Sequence, residues 1–255
     1  MLSASASGKY ISLKTTITSD LVNKNEIKSI IFVLNEGDEA AYELEVTPKL
    51  PNEENVAKPI HSEILLPGEN FNCNFSIFFN ENITPGIYPL VVRIIYHDAN
   101  MYQFSTVNSH LMKTTECDNS KIRGSLGETD ITVEKPGAAM LTIWNDDSKS
   151  HELNISFFSP NELKTSFNSQ NISINPLEEK QIKIDVGSFG ALTGSSYTIL
   201  ASIEYDAEGR HYSSFANGVV RIVEEKQSPF LIVGVVVLFV LLLIIFVVYR
   251  FKRGK

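Results

Sequence analysis

Two stretches of the sequence carry the same pattern about 109 residues apart. Pro85 to Phe104 reads PGIYPLVVRIIYHDANMYQF, and Thr193 to Phe215 reads TGSSYTILASIEYDAEGRHYSSF. Further matches at an offset of 109 or 110 pair Asn35 with Asn145, Pro67 with Pro176, Tyr88 with Tyr197, Tyr96 with Tyr205 and Tyr102 with Tyr212. A near-constant offset over about seventy residues indicates a tandem duplication, so the chain must fold into two units of one architecture.

The pattern inside each unit is that of β-strands. Phe71, Cys73, Phe75 and Ile77 alternate with polar residues, which is typical of a half-buried strand. Turn residues recur often enough to predict about seven short antiparallel strands per unit, and no segment before residue 229 has a helical period. Seven strands in about a hundred residues predict an immunoglobulin-like β-sandwich. The predicted fold class is therefore all-β, with two tandem sandwiches followed by one C-terminal transmembrane α-helix.

The repeat and the apolar C-terminus together predict the domain organisation. In chain order we expect a first sandwich over 9–115, a linker over 116–121, a second sandwich over 122–225, a juxtamembrane linker over 226–229, a transmembrane helix over 230–249 and a basic cytoplasmic tail over 250–255. Tyr88 and Tyr197 follow a glycine turn at the start of a strand, where a sandwich can place a tyrosine that bonds back across the corner.

The turn motifs resemble those of a known group of surface repeats. The segments Asn35-Glu-Gly-Asp-Glu-Ala, Leu66-Pro-Gly-Glu, Pro85-Gly-Ile-Tyr and Tyr96-His-Asp-Ala-Asn are similar to the CARDB type and its NPCBM-associated relatives in archaeal and bacterial surface-layer-like proteins. The resemblance implies a β-sandwich, often in tandem, that serves adhesion or acts as a spacer. It implies no catalytic residues and no cofactor.

The segment Phe230 to Tyr249, FLIVGVVVLFVLLLIIFVVY, is apolar throughout and contains no charge. A helix of this length spans about 30 Å, the thickness of a bilayer core. Four basic residues follow it: Arg250, Lys252, Arg253 and Lys255. By the positive-inside rule they predict a cytoplasmic C-terminus, with residues 1–228 on the other side of the membrane.

The N-terminal stretch MLSASASGKYISLK has no apolar h-region. We therefore expect a signal peptide upstream of it, and the alternative is a tail-anchored protein with its bulk in the cytosol. N-x-[ST] sequons occur at Asn74, Asn82, Asn154 and Asn171. They favour the first interpretation and predict N-glycosylation sites. The prediction is weaker for Asn82, because a proline follows the threonine of its sequon.

Chemistry-bearing motifs are scarce. The net charge of −8 argues against a nucleic-acid surface. The histidines His97 and His211 lie beside the same turn in the two units, where we expect them to be solvated, and no histidines stand at metal-binding spacing. Loop carboxylates such as Asp38 and Asp147 fit turn chemistry better than calcium binding. No nucleophile motif is present, so we expect no enzyme, no cofactor and no metal.

The two cysteines leave two alternatives open. Cys73 belongs to the inward-facing alternation of a strand, and Cys117 lies at the boundary between the units. They either form one disulfide that ties the linker to the first core, or stay as a buried and an exposed thiol.

These features predict a non-catalytic, single-pass membrane protein, acting as a structural or adhesive stalk or as a partner-binding module. Its partners would be the lipid bilayer and other surface or membrane proteins. Two alternatives are an accessory subunit of a membrane complex, similar to the translocon-associated beta subunit, and a carbohydrate-binding module that uses the hairpin tyrosines.

Overall fold

A computed structural model of the chain describes residues 10–51, 56–80, 83–166, 168–225, 242 and 244. The described residues of the first repeat form seven strands: β1 (Leu13–Asn23), β2 (Glu26–Asn35), β3 (Ala41–Lys49), β4 (Ile60–Leu65), β5 (Asn70–Phe78), β6 (Ile87–His97) and β7 (Gln103–Lys113). Those of the second form nine: β8 (Ile122–Leu126), β9 (Thr129–Ile131), β10 (Gly137–Asn145), β11 (His151–Phe158), β12 (Leu163–Thr165), β13 (Ser169–Ile174), β14 (Glu179–Ser188), β15 (Ser196–Ala207) and β16 (Arg210–Ile222).

Each repeat folds into two sheets packed face to face. In the first repeat the sheet orders are β1-β2-β5 and β4-β3-β6-β7, and in the second they are β8-β10-β14-β12 and β13-β11-β15-β16-β9. All pairings are antiparallel except that of β9 with β16. This is the immunoglobulin-like sandwich, and the prediction of an all-β fold of two such sandwiches is confirmed.

The predicted transmembrane helix over 230–249 lies outside the described residues, except for Leu242 and Ile244, which are helical. The juxtamembrane residues 226–229 and the basic tail over 250–255 lie outside them as well. Among the described residues, no helix has the length and hydropathy that crossing a membrane requires. The described residues up to Val223 form one compact unit.

Alternating side chains build a separate core inside each sandwich. Ile31, Val33, Leu44 and Ile94 are fully buried in the first core, and the second is built in the same way around Leu141, Ile143, Ile155 and Ile203. Burial of an aliphatic side chain of this size contributes about 1.5–3 kcal/mol, so these alternating positions supply the main driving force for each fold.

An asparagine ends β2 and its counterpart in the second repeat, β10, and is almost completely enclosed in both. Asn35 is 0% exposed and Asn145 is 2% exposed. The Asn35 amide nitrogen donates to the carbonyls of Glu39 and Leu65, at 2.8 and 3.0 Å, and its side-chain oxygen accepts from the Gly37 N–H at 3.0 Å.

The Asn145 amide repeats this network 110 residues later. It donates to the Lys149 and Asn175 carbonyls, both at 2.8 Å, and accepts from the Asp147 N–H at 2.9 Å. In each copy the amide joins the loop that follows its own strand to the chain at the end of β4 or of β13. Without the amide, the carbonyls of these two stretches would be unpaired.

The hairpin pairing changes one predicted equivalence. Tyr205 pairs with Tyr212, whereas Tyr96 pairs with Phe104, so Phe104 rather than Tyr102 occupies the position of Tyr212. The second hairpin closes with the two residues Glu208 and Gly209, both at positive φ, and the first needs the longer loop 98–102. The sequence alignment at Tyr102 is therefore wrong, because it ignores the extra loop residues.

The first strand of the second copy changes sheets, and that of the first copy does not. After β8, the chain turns at Gly127 and continues as β9, which pairs in parallel with β16. At this crossing a Cβ on Gly218 would lie 2.7 Å from the Leu126 Cβ. In the first copy, β1 stays paired with β2 over its whole length, and a side chain, His110, stands where the second copy has Gly218.

Candidate functional site

The outer faces of two sheets meet at a junction between the sandwiches. Val91 on β6, Val107 on β7 and Leu200 on β15 are buried together, and Phe158 and Phe215 pack against them. The segments 90–95 and 199–203 are therefore covered on both faces. Their apolar runs, LVVRII and ILASI, which are interrupted only by Arg93 and Ser202, are the sequence signal of this double burial.

His211 joins the sandwiches through its backbone. Its N–H donates to the Pro85 carbonyl at 3.0 Å, and Gly86 forms a parallel bridge with it. A Cβ at Gly86 would lie 1.9 Å from the His211 carbonyl oxygen. Only glycine therefore permits this approach. The hydroxyl of Ser213 extends the contact by donating to the Ile87 carbonyl at 2.7 Å.

The His211 ring is enclosed by groups of both sandwiches. It stacks on Tyr88 with ring centroids 4.2 Å apart and planes inclined by 9°. Its Nδ1 lies 2.8 Å from Asp206 Oδ1 and its Nε2 lies 3.3 Å from Glu204 Oε2, and the side chain is only 14% exposed. The expectation of a solvated histidine is wrong for His211, because Tyr88, Glu204 and Asp206 cover its side chain.

Two effects on the pKa of His211 oppose one another. Burial alone lowers it, but the hydrogen bonds and charges of Glu204 and Asp206 outweigh burial, so the pKa is raised above its ordinary value. The protonated ring is therefore the form that the junction favours, and it balances two carboxylates.

Tyr88 supplies the platform for this histidine. Its hydroxyl donates to the Thr84 carbonyl at 2.6 Å, which is the predicted corner bond, and Phe79 packs beside its ring at 5.2 Å. Burial, together with Asp206 and Glu204, raises the pKa of the Tyr88 hydroxyl, so it stays a donor.

A second polar cluster lies deeper in the junction. Ser105 Oγ donates to Glu162 Oε2 at 2.7 Å and accepts from the Asn161 N–H at 2.7 Å. Arg93 donates to the Ser159 carbonyl at 3.4 Å. Burial lowers the pKa of Arg93, and the charge of Glu162 opposes this. Glu162 belongs to no repeated motif, and Ser105 matches Ser213 only when Phe104 is aligned with Tyr212, so the sequence comparison of the copies found neither residue.

The remaining predicted residues lie apart from the junction. Cys73 and Cys117 are both free cysteines, the first 1% exposed in the core and the second partly exposed. Burial raises the pKa of the Cys73 thiol to about 11, so it is protonated at neutral pH.

The sequons differ in accessibility. Asn74 is exposed on β5, and Asn82 lies outside the described residues. Asn154 and Asn171 face each other across β11 and β13, with Asn154 half-buried and Asn171 exposed. Because both occupy one cross-strand pair, a glycan on either would crowd the other.

Two loop carboxylates of the second sandwich, Asp146 and Asp147, lie beside basic side chains. Asp147 lies 3.2 Å from Lys121 and 3.0 Å from His151, and Asp146 binds Arg123 at 2.7 Å. No group of three or more potential metal ligands occurs within the part of the chain that the structure describes.

Ser19 Oγ and His110 Nε2 lie 2.8 Å apart and connect β1 to β7. Burial lowers the pKa of the partly buried His110, which favours its neutral form.

The fold and junction define a protein of two immunoglobulin-like sandwiches packed sheet to sheet. No protein-family model matches the chain, and no curated protein matches its sequence. Solved structures similar to it include red sea bream transglutaminase (13% identity, TM-score 0.31, 85% of this chain and 31% of that one) and native Escherichia coli alpha-2-macroglobulin (11%, 0.34, 83% and 17%). The YadV chaperone is a third (13%, 0.31, 80% and 98%). The chain thus spans about a third or less of the first two proteins.

Proposed function

We propose that the protein is a non-catalytic, membrane-anchored module that presents two sandwiches as one rigid body to a partner protein. The single observation that carries this proposal is the junction, where apolar side chains, a backbone bridge and a charged histidine all cross between the sandwiches. Two domains joined only by a flexible linker would move independently, whereas a packed junction holds their surfaces in one arrangement.

The junction favours partner binding over an extended stalk. Sandwiches that pack side by side through their sheets add less length than sandwiches joined end to end. The burial of Tyr96 and Tyr205, at 8% and 5% exposure, also disfavours the carbohydrate-binding alternative, which needs exposed aromatic rows.

Membrane anchoring by residues 230–249 and a cytoplasmic basic tail are part of the same proposal. The apolar length of the segment and the Arg250, Lys252, Arg253 and Lys255 cluster support them. The resemblance to surface repeats supports an adhesive or scaffolding role on the outer side.

The proposal is tested with the full chain in vesicles. Wild type should float with lipid and resist carbonate extraction, whereas a chain ending at Glu225 should stay in the soluble fraction. Pull-down in mild detergent should then recover a stoichiometric protein partner with the full chain. Extraction of the full chain by carbonate would contradict the anchor, and the absence of any stoichiometric partner would contradict the binding function.

A further inference from the structure

The two copies differ at one sheet edge. In the second sandwich, β9 pairs in parallel with the last three residues of β16 and covers the edge of its sheet. In the first sandwich, β7 is the last strand of its sheet, and none of the described strands pairs with its outer edge. The strand that would cover this edge stays with β2.

Hairpin pairing identifies the residues left without a neighbour strand. Ile87 pairs with Lys113 in the first copy, and Ser196 pairs with Arg221 in the second. Lys113 therefore corresponds to Arg221, and its neighbours Met112 and Thr114 correspond to Val220 and Ile222. These three second-copy residues are the ones that β9 binds.

A groove lies at the place of the absent strand. It has a volume of about 460 Å³ and runs between the end of β1 and the edge of β7, lined by Ser19, Asp20, Leu21, His110, Leu111 and Lys113. Leu21 is 46% exposed and Leu111 is 37% exposed. An open strand edge beside exposed apolar side chains is a template for pairing with another chain.

The second copy shows what kind of segment fits such an edge. In β9, Thr129 and Ile131 are 8% and 2% exposed, and Asp130 between them points outward. Arg221 binds Glu128 and lies 3.7 Å from Asp130. Lys113 has the same charge as Arg221. It therefore favours a bound segment that carries an acidic residue where β9 carries Glu128 or Asp130. Asp20 and Glu116 also border the groove and disfavour further acidic residues elsewhere.

We propose that the edge of β7 binds an extended segment of a partner protein by strand addition. The segment lies parallel to β7, as β9 lies to β16, with β-branched residues facing inward at alternate positions and an acidic residue beside Lys113. This inference rests on the proposed partner-binding function and names the surface and the kind of segment that perform it.

The experiment uses the full chain in detergent micelles and a fluorescein-labelled peptide with the sequence of residues 126–133, LGETDITV. Fluorescence anisotropy should show saturable binding. Replacing both acidic residues of the peptide by lysine should weaken it about three- to fivefold, the range of one exposed charge pair. Lys113→Glu should weaken the original peptide similarly and restore binding of the lysine peptide. Unchanged circular dichroism and melting temperature of Lys113→Glu show that the fold is retained.

Backbone methylation tests strand pairing directly. Consecutive N–H groups of a strand point to opposite sides, so only one edge of the peptide can bond to β7. Methylating the peptide nitrogen of Thr129 in one peptide and of Asp130 in another should abolish binding for one of them only. Equal binding of both methylated peptides, or a failure of the charge exchange, would overturn the proposal.

Two further results separate this inference from the proposed function. A membrane partner recovered equally by wild type and Lys113→Glu would leave the function intact and overturn the groove as its site. A dimer of the full chain that Lys113→Glu dissociates would assign the groove to a second copy and likewise overturn it.

Discussion

Single residues that repeat between the copies hold the loops of each sandwich. The sequence matched Asn35 with Asn145 but indicated only a turn, because asparagine is common in turns. The burial of both amides depends on tertiary structure, because it requires the end of β4 or of β13 to lie beside the loop. The sequence signal for these buried amides is a polar residue that ends an apolar strand at the same position in both copies.

Asn35→Ala and Asn145→Ala should each lower the free energy of unfolding by about 1–3 kcal/mol, because each removes one donor group and strands two buried carbonyls. Chemical denaturation of the full chain measures this. The exposed Asn72→Ala is the matched control and should change stability by less than about 0.5 kcal/mol. Equal effects in all three variants would contradict the assigned role.

His211 should make stability depend on pH. Its pKa is raised in the folded state, so its contribution is fully present below the ordinary pKa of about 6.5 and is lost as the pH rises through the folded value. The stability difference between wild type and His211→Gln should therefore be larger at pH 6 than at pH 9. His61→Gln, on an exposed position of β4, should give no such difference. A pH-independent difference for His211→Gln would contradict the stabilising role of the protonated His211 ring between Glu204 and Asp206.

At the scale of elements, glycine placement decides whether the first strand changes sheets. The sequence predicted the strands of both copies from their alternation, and their bounds follow the repeat closely. It could not predict β9, because three residues are too few for a periodic signal. The physical cause is Gly218, where a Cβ would lie 2.7 Å from the Leu126 Cβ and 3.1 Å from the Gly127 carbonyl oxygen, whereas His110 fills the same place in the first copy.

Gly218→Ala should destabilise the second sandwich by about 1–3 kcal/mol, because its Cβ would lie 2.7 Å from the Leu126 Cβ and overpack the crossing. Gly187→Ala is the matched control, since its nearest neighbour would be a Pro136 carbon at 3.7 Å, an ordinary contact. Thermal unfolding monitored by circular dichroism distinguishes the two. A control as unstable as Gly218→Ala would mean that the crossing is not the cause.

At the scale of the whole molecule, the sequence predicted two sandwiches and missed their junction. Each copy could be derived from its own pattern, but packing between the copies depends on positions where they differ. Glu204 and Asp206 correspond to Ile95 and His97 in the first copy, so the carboxylates that hold His211 occur only in the second copy.

Gly86→Ala should open the junction, since the new Cβ would overlap the His211 carbonyl at 1.9 Å. A clash costing about 1–3 kcal/mol raises the open population by about five- to 150-fold. Limited proteolysis in the linker 116–121 should therefore be faster by at least about fivefold, with Gly187→Ala as the unaffected control. Cleavage at the wild-type rate would show that the backbone bridge does not hold the sandwiches together.

The parallel pairing of β9 with β16 has a mechanical consequence. A pull between the chain before β9 and the chain after β16 draws parallel neighbours in opposite directions, so their hydrogen bonds bear load together instead of opening one by one. Among the described strands of the first sandwich, none pairs in this way with β7. Under tension applied through the chain ends, we expect it to yield at lower force than the second, which single-molecule pulling would reveal as two unequal rupture events.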